Sequence, residues 1–251
     1  MRLKAHRNVV LTLVLATGMI TFSHACNAQI PTLHPSFYGS GEADTRHSQF
    51  ALVGMYFGVG GLGWSPYFNG NAWALHLRPN QNSTVTSTMS AISPTLGLAY
   101  AGRNSGVSFG GGYTWVHNPN PAAPGAEGGG SNGATASFGA YANGYGRRAM
   151  HTQLLADYNF GSHYIWARGR ASRPFGYSAR HPARLGLEVV GQGGGKNTIT
   201  TNSFQVGPTL EWALTPQFRT TGVVGYKTVG GSAFASRDNA AYLKLEFSLS
   251  P

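Results

Sequence analysis

Alternation at period two is the feature that most constrains this chain. In 203–214, Phe204, Val206, Pro208, Leu210, Trp212 and Leu214 share one side, and Ser203, Gln205, Gly207, Thr209 and Glu211 share the other. Only an extended strand sends successive side chains to opposite faces. Near the C-terminus, Ala241, Leu243, Leu245, Phe247 and Leu249 oppose Tyr242, Lys244, Glu246 and Ser248. In 183–191, Leu185, Leu187 and Val189 oppose Arg184, Gly186 and Glu188. Eleven segments follow this rule: 49–59, 71–79, 91–101, 107–117, 133–145, 150–160, 163–171, 183–191, 202–213, 218–227 and 239–249. A twelfth, shorter stretch covers 36–43. No segment carries a helical repeat, and no apolar run approaches the ~20 residues of a membrane helix.

Hairpin pairing sharpens the reading. A tight turn at Gly161-Ser162 pairs Asp157 with Trp166, Leu155 with Arg168 and Gln153 with Arg170. It also pairs Tyr158 with Ile165, Ala156 with Ala167 and Leu154 with Gly169. Polar and apolar sets then separate in both strands at once, and a one-residue slip would mix them. A three-residue turn at Thr215-Pro216-Gln217 sets Ala213 opposite Arg219 and Trp212 opposite Thr220.

The expected architecture is all-β: a transmembrane antiparallel up-and-down barrel of about 12 strands. Ten strands, or a soluble β-sandwich, are the alternatives that alternation alone leaves open. Three features favour the membrane barrel. Only 10% of residues are charged, against roughly 25% in soluble domains. The segments run to 9–12 residues, the length of a tilted membrane strand. The charges gather on the polar face, whereas a charge facing lipid at midplane costs about 2–4 kcal/mol. With both termini on one side, the connections 80–90, 118–132, 192–201 and 229–238 are long outward loops, and 102–106, 146–149 and 215–217 are short inward turns. The short turn at Gly161-Ser162 and the long connections 60–70 and 172–182 break this rule.

The N-terminus reads as an export signal. Arg2, Lys4 and Arg7 precede an apolar run centred on Val9 to Leu15, followed by Ala25-Cys26-Asn27-Ala28. Cleavage is expected after Ala28, with Ala25 as the alternative, so residues 1–28 are signal and 29–251 form one barrel domain. The expected location is the outer membrane of a Gram-negative bacterium. Without the three signal cations the chain holds 15 basic and 8 acidic groups, about +7. In that compartment the charge points to lipopolysaccharide, polysaccharide or anionic solutes as partners and not to nucleic acid.

The polar face is where function is sought. It carries Arg78, Asp157, Arg168, Arg170, Arg184, Glu188, Glu211, Arg219, Lys227, Lys244 and Glu246. Five arginines (Arg168, Arg170, Arg173, Arg180 and Arg184) fall within one hairpin and its loop. Two readings compete: a lumen that selects anions, and a plug of ion pairs joining Arg168 to Asp157, Arg219 to Glu211 and Arg184 to Glu188. No cofactor is expected, and no metal: His76, His117, His151 and His163 are scattered without ligand spacing. No Gly-x-Ser-x-Gly elbow occurs. His47 beside Ser48 is a formal lipid-hydrolase pair, yet adjacent strand residues point apart, so the expectation is no enzyme. Gly110–Gly112 is expected inside a strand, and Gly128–Gly130 and Gly193-Gly194-Gly195-Lys196 in mobile loops.

Several short motifs group together. They are Phe37-Tyr38-Gly39-Ser40-Gly41-Glu42, Asn71-Ala72-Trp73-Ala74-Leu75-His76-Leu77, Leu185-Gly186-Leu187-Glu188-Val189-Val190-Gly191-Gln192, Phe204-Gln205-Val206-Gly207-Pro208, Gly222-Val223-Val224-Gly225-Tyr226 and Tyr242-Leu243-Lys244-Leu245-Glu246-Phe247. In this arrangement the chain resembles the cellulose biosynthesis protein S (BcsS) family of bacterial envelope proteins. The resemblance implies an envelope role linked to exopolysaccharide production or export. It transfers no catalytic residue.

Overall fold

Long alternating segments cannot satisfy their backbone in lipid as an open sheet, because each edge would carry unpaired N–H and C=O groups; closure removes the edges. The computed structural model, which describes residues 33–77, 87–117, 131–144, 149–175, 182–196, 199–231 and 237–250, has this closed form. Its strands are β1 (Leu33–Asp44), β2 (Gln49–Val59), β3 (Gly63–Leu77), β4 (Ser87–Ala101), β5 (Ser105–His117), β6 (Gly133–Asn143), β7 (His151–Asn159), β8 (Tyr164–Phe175), β9 (Ala183–Lys196), β10 (Ile199–Ala213), β11 (Phe218–Gly230) and β12 (Asp238–Leu249). Each strand pairs antiparallel with its sequence neighbours, and β1 closes on β12 from Phe37↔Leu249 to Asp44↔Tyr242. The fold is a twelve-stranded up-and-down barrel. The expected signal segment 1–28 and its expected cleavage positions lie outside the described residues.

Both deduced hairpin registers are present: Leu155↔Arg168 and Asp157↔Trp166 in β7–β8, and Trp212↔Thr220 and Ala213↔Arg219 in β10–β11. The β7–β8 turn is wider than a two-residue turn. Residues 160–163 form it, with Asn159 Oδ1 accepting from the N–H groups of Gly161 and Ser162 at 2.8 and 3.1 Å, and His163 at φ 51°.

Two connections differ from expectation. The long inward stretch 60–70 is mostly strand: β3 starts at Gly63, with Gly61 (φ 127°) and Gly63 (φ 102°) making the turn. The glycines and Pro66 had masked the alternation of Trp64, Pro66 and Phe68 against Ser65, Tyr67 and Asn69. The segment Gly193–Lys196 is likewise not a loop but the end of β9, opposite Ile199–Asn202 of β10. At Gly194 the φ is 145° and a Cβ would come within 2.7 Å of Tyr164 Cα, so glycine lets β8 approach closely. Gly110–Gly112 lies inside β5, and Gly128–Gly130 lies outside the described residues.

The outer face is apolar and exposed: Val53, Ile92, Leu96, Phe109, Leu154, Leu187, Leu210, Leu243 and Leu245 all project outward. Aromatics bracket this band. Trp64 and Tyr100 sit at the end that carries the termini (ring centroids 5.4 Å), and Tyr113 and Trp115 at the opposite end (4.9 Å). An apolar band between aromatic girdles is the exterior of a transmembrane barrel.

Candidate functional site

The inner face separates into two walls. Between Gln49 and Asn143 the only charged residues are Arg78, Arg103 and Glu127, and all three fall between strands. Strands β2–β6 therefore carry no charge. Every charged lumen group among the described residues comes from β1, its turn, or β7–β12.

On the charged side, a cluster bridges the barrel. Arg168 Nη1 of β8 donates to Glu246 Oε1 of β12 at 2.7 Å, and its Nη2 donates to Gln153 Oε1 of β7 at 3.0 Å. Arg170 donates to Glu246 Oε2 at 2.6 Å and, through Nε, to Glu188 Oε2 of β9 at 3.1 Å. Lys244 Nζ pairs with Glu188 and lies 3.2 Å from Glu246 Oε1. The Glu188 side chain is fully buried. These side chains reach from β8 and β9 to β12, passing over the inner faces of β10 and β11. That explains why small groups such as Thr209 (1% exposed) and Val223 (0%) are sealed beneath them. This half of the lumen is filled.

Two smaller clusters flank the bridge. Lys227 Nζ donates to Glu42 Oε1 at 3.1 Å and lies 3.8 Å from Asp44 Oδ2, while Gln205 Nε2 also donates to Glu42 Oε1 at 3.1 Å. Asp44 holds Arg46 of the β1–β2 turn at 2.9 Å. At the end carrying the termini, Glu211 lies between Arg219 (3.6 Å) and Arg184 (4.0 Å).

The other half is open. A cavity of about 740 Å³ is lined by residues of all twelve strands, with Arg168, Arg170, Arg219, Lys227, Lys244 and Glu246 of the charged clusters along one side of it. Tyr38 donates to Asn69 Oδ1 at 2.7 Å. Tyr56 and Tyr67 stack at 5.3 Å and 23°. A Cβ on Gly54 would fall 2.7 Å from Tyr38 Cε2, and one on Gly97 2.6 Å from Tyr67 Cε1. The rings of Tyr38 and Tyr67 therefore lie against glycine wall. Asn71, Trp73, Ser93, Thr95, Ser137 and Asp157 line the same cavity.

Of the eleven charged residues singled out in the sequence, Arg168, Arg170, Glu188, Lys244 and Glu246 meet in the bridge. Arg184, Glu211 and Arg219 form the terminal cluster, and Lys227 joins Glu42 and Asp44. Arg78 lies outside the described residues, as does Arg180, and Arg173 is exposed near the end of β8. Two expected pairs are different partnerships. Arg168 turns to Glu246 and Gln153, and Asp157 holds no salt bridge or hydrogen bond among the described residues. Arg184 turns to Glu211 and not to Glu188, because four residues along a strand separate the two by about 13 Å. Glu188 is taken by Arg170 and Lys244. Sequence reasoning missed Glu42, Asp44 and Arg46. The alternation Tyr38, Ser40, Glu42 was visible and would have placed Glu42 inside. His47 is exposed at φ 65°, while Ser48 is 4% exposed and fixed through its N–H to Asp44 Oδ1 at 3.0 Å. The pair faces in opposite directions, and Asp44 is engaged with Arg46.

The barrel is similar in fold to LpxR from Salmonella typhimurium, with a TM-score of 0.53 at 8% identity over 85% of this chain and 99% of that one. The beta domain of the Bordetella autotransporter BrkA has a TM-score of 0.49 at 11% identity, over 89% and 100% of the two chains. The KdgM porin has 0.44 at 9% identity, over 86% and 99%. No known family model and no curated protein matches the sequence.

Proposed function

We propose that this protein is a non-enzymatic outer-membrane barrel, exported by its N-terminal signal, whose open half-lumen is a narrow passage for solutes of the cell envelope. The observation that carries this is the division of the lumen. One side is braced by ion pairs, and about 740 Å³ of space remains between those pairs and the uncharged wall of β2–β6. A barrel serving only as an anchor has no need of glycines that seat two tyrosine rings against its wall. The resemblance of its short motifs to the BcsS family directs this proposal towards exopolysaccharide, with lipopolysaccharide as the surrounding partner.

An anion channel is the second reading, and the charge balance argues against it. The lumen clusters hold seven basic groups (Arg46, Arg168, Arg170, Arg184, Arg219, Lys227 and Lys244). Against them stand six acidic groups (Glu42, Asp44, Asp157, Glu188, Glu211 and Glu246). Rings of uncompensated cations, which anion selectivity uses, are absent among these pairs. Reconstitution into planar bilayers tests the passage: discrete conductance steps are expected, larger in Arg168→Ala because that guanidinium edges the cavity. A correctly folded barrel without conductance in either form contradicts it.

A further inference from the structure

On its β2–β7 side the open half-lumen sets stacked rings among amides and hydroxyls, with Asp157 as the one carboxylate on those strands. Tyr56 and Tyr67 form a parallel pair, Trp73 lies on the same wall, Asn69 and Asn71 sit between them, and Asp157 faces them from β7. Each solute class makes a different demand on such a wall. An acyl chain would offer no partner to the remaining hydrogen-bonding capacity of Asn69, Asn71 and Thr95, at a cost of about 1–3 kcal/mol for each group left unsatisfied. An anion would meet Arg168, Arg170, Arg219, Lys227 and Lys244 along one side of the cavity, but these are already committed to Glu188, Glu246, Glu211 and Glu42. It would also meet Asp157, a negative group with no salt bridge among the described residues. A nucleic-acid base would find stacking rings, but its phosphates would meet the same repulsion.

A neutral sugar meets each demand. A pyranose has an apolar C–H face suited to an aromatic ring and a rim of hydroxyls suited to amides. A carboxylate accepts two such hydroxyls at once, and charge-assisted bonds of this kind are about twice as strong as neutral ones. Resting on the passage reading above, we infer that the open half-lumen is a binding track for uncharged oligosaccharides, with Tyr56 and Trp73 as the stacking surface, Tyr67 backing Tyr56, and Asp157 as the hydroxyl acceptor. Asp157 also sets specificity: it favours hydroxyls and repels uronic acids.

The test uses the purified full barrel in micelles and follows tryptophan fluorescence, since Trp73 and Trp166 both line the cavity. The probes are cellopentaose, a neutral chain, and pentagalacturonate, an acidic chain of equal length. Saturable binding of cellopentaose, with pentagalacturonate at least about tenfold weaker, is the expected result. Asp157→Asn should weaken cellopentaose binding by about tenfold, as expected for losing one charge-assisted bond, and narrow the gap between the probes. Trp73→Leu should weaken it comparably, with retained heat-modifiable mobility on gels confirming that the variant is folded. Pentagalacturonate binding as tightly as cellopentaose, or a folded wild type that binds neither, overturns the inference. Planar-bilayer recordings on the same preparations separate the two proposals. Conductance without cellopentaose binding overturns this inference alone, and binding without conductance overturns the passage while leaving the sugar track in place.

Discussion

Glu188 is the residue on which the filled half depends. It lies on β9, it is fully buried, and it answers cations from β8 and β12. Removing one partner from a buried cluster leaves charges without compensation and costs about 3–5 kcal/mol. Glu188→Ala should therefore lower unfolding stability by about that amount in urea titrations, whereas Arg219→Ala, half exposed beside Glu211, should change it by less than about 1 kcal/mol. Equal effects would mean that the bridge is not the brace described here. That these residues face inward was legible from alternation alone. Their partners were not, because a strand pattern orders residues along and beside a strand but carries no information on what meets across a lumen. Arg168 and Glu246 stand 78 residues apart and on strands that are not neighbours.

At the scale of elements, register was readable where both strands of a hairpin carry strong polar and apolar sets, as in β7–β8 and β10–β11. It failed where glycine removed the contrast. The starts of β3 and the end of β9 read as loops for that reason, and the first strand was seen only in its centre. The same glycines do structural work that a pattern cannot express. A Cβ on Gly97 of β4 would press into the backbone carbonyl of Phe109 on β5 and into the Tyr67 ring. Gly97→Ala should thus disturb β4–β5 pairing and tip Tyr67 into the cavity. The expected signs are a lower heat-shift temperature on gels and a smaller conductance step. Gly41→Ala, where a Cβ meets nothing within 4 Å, is the matched control and should change neither.

For the whole molecule, low charge and excess glycine follow from having two surfaces to satisfy. The outer band faces lipid, so Leu243→Arg near the middle of β12 should cost about 2–4 kcal/mol and reduce assembly into the membrane fraction, while the same change on a loop should not. Most of the charges that remain lie inside, in pairs that brace one side and leave the wall of β2–β6 uncharged. That compensation is the central claim, and a reversal potential measures it most directly. With the wild-type barrel in a planar bilayer under a potassium chloride gradient, the account predicts open channels that reverse close to zero, with neither ion strongly preferred. A reversal potential approaching the chloride equilibrium value would show uncompensated positive charge in the passage and would contradict it.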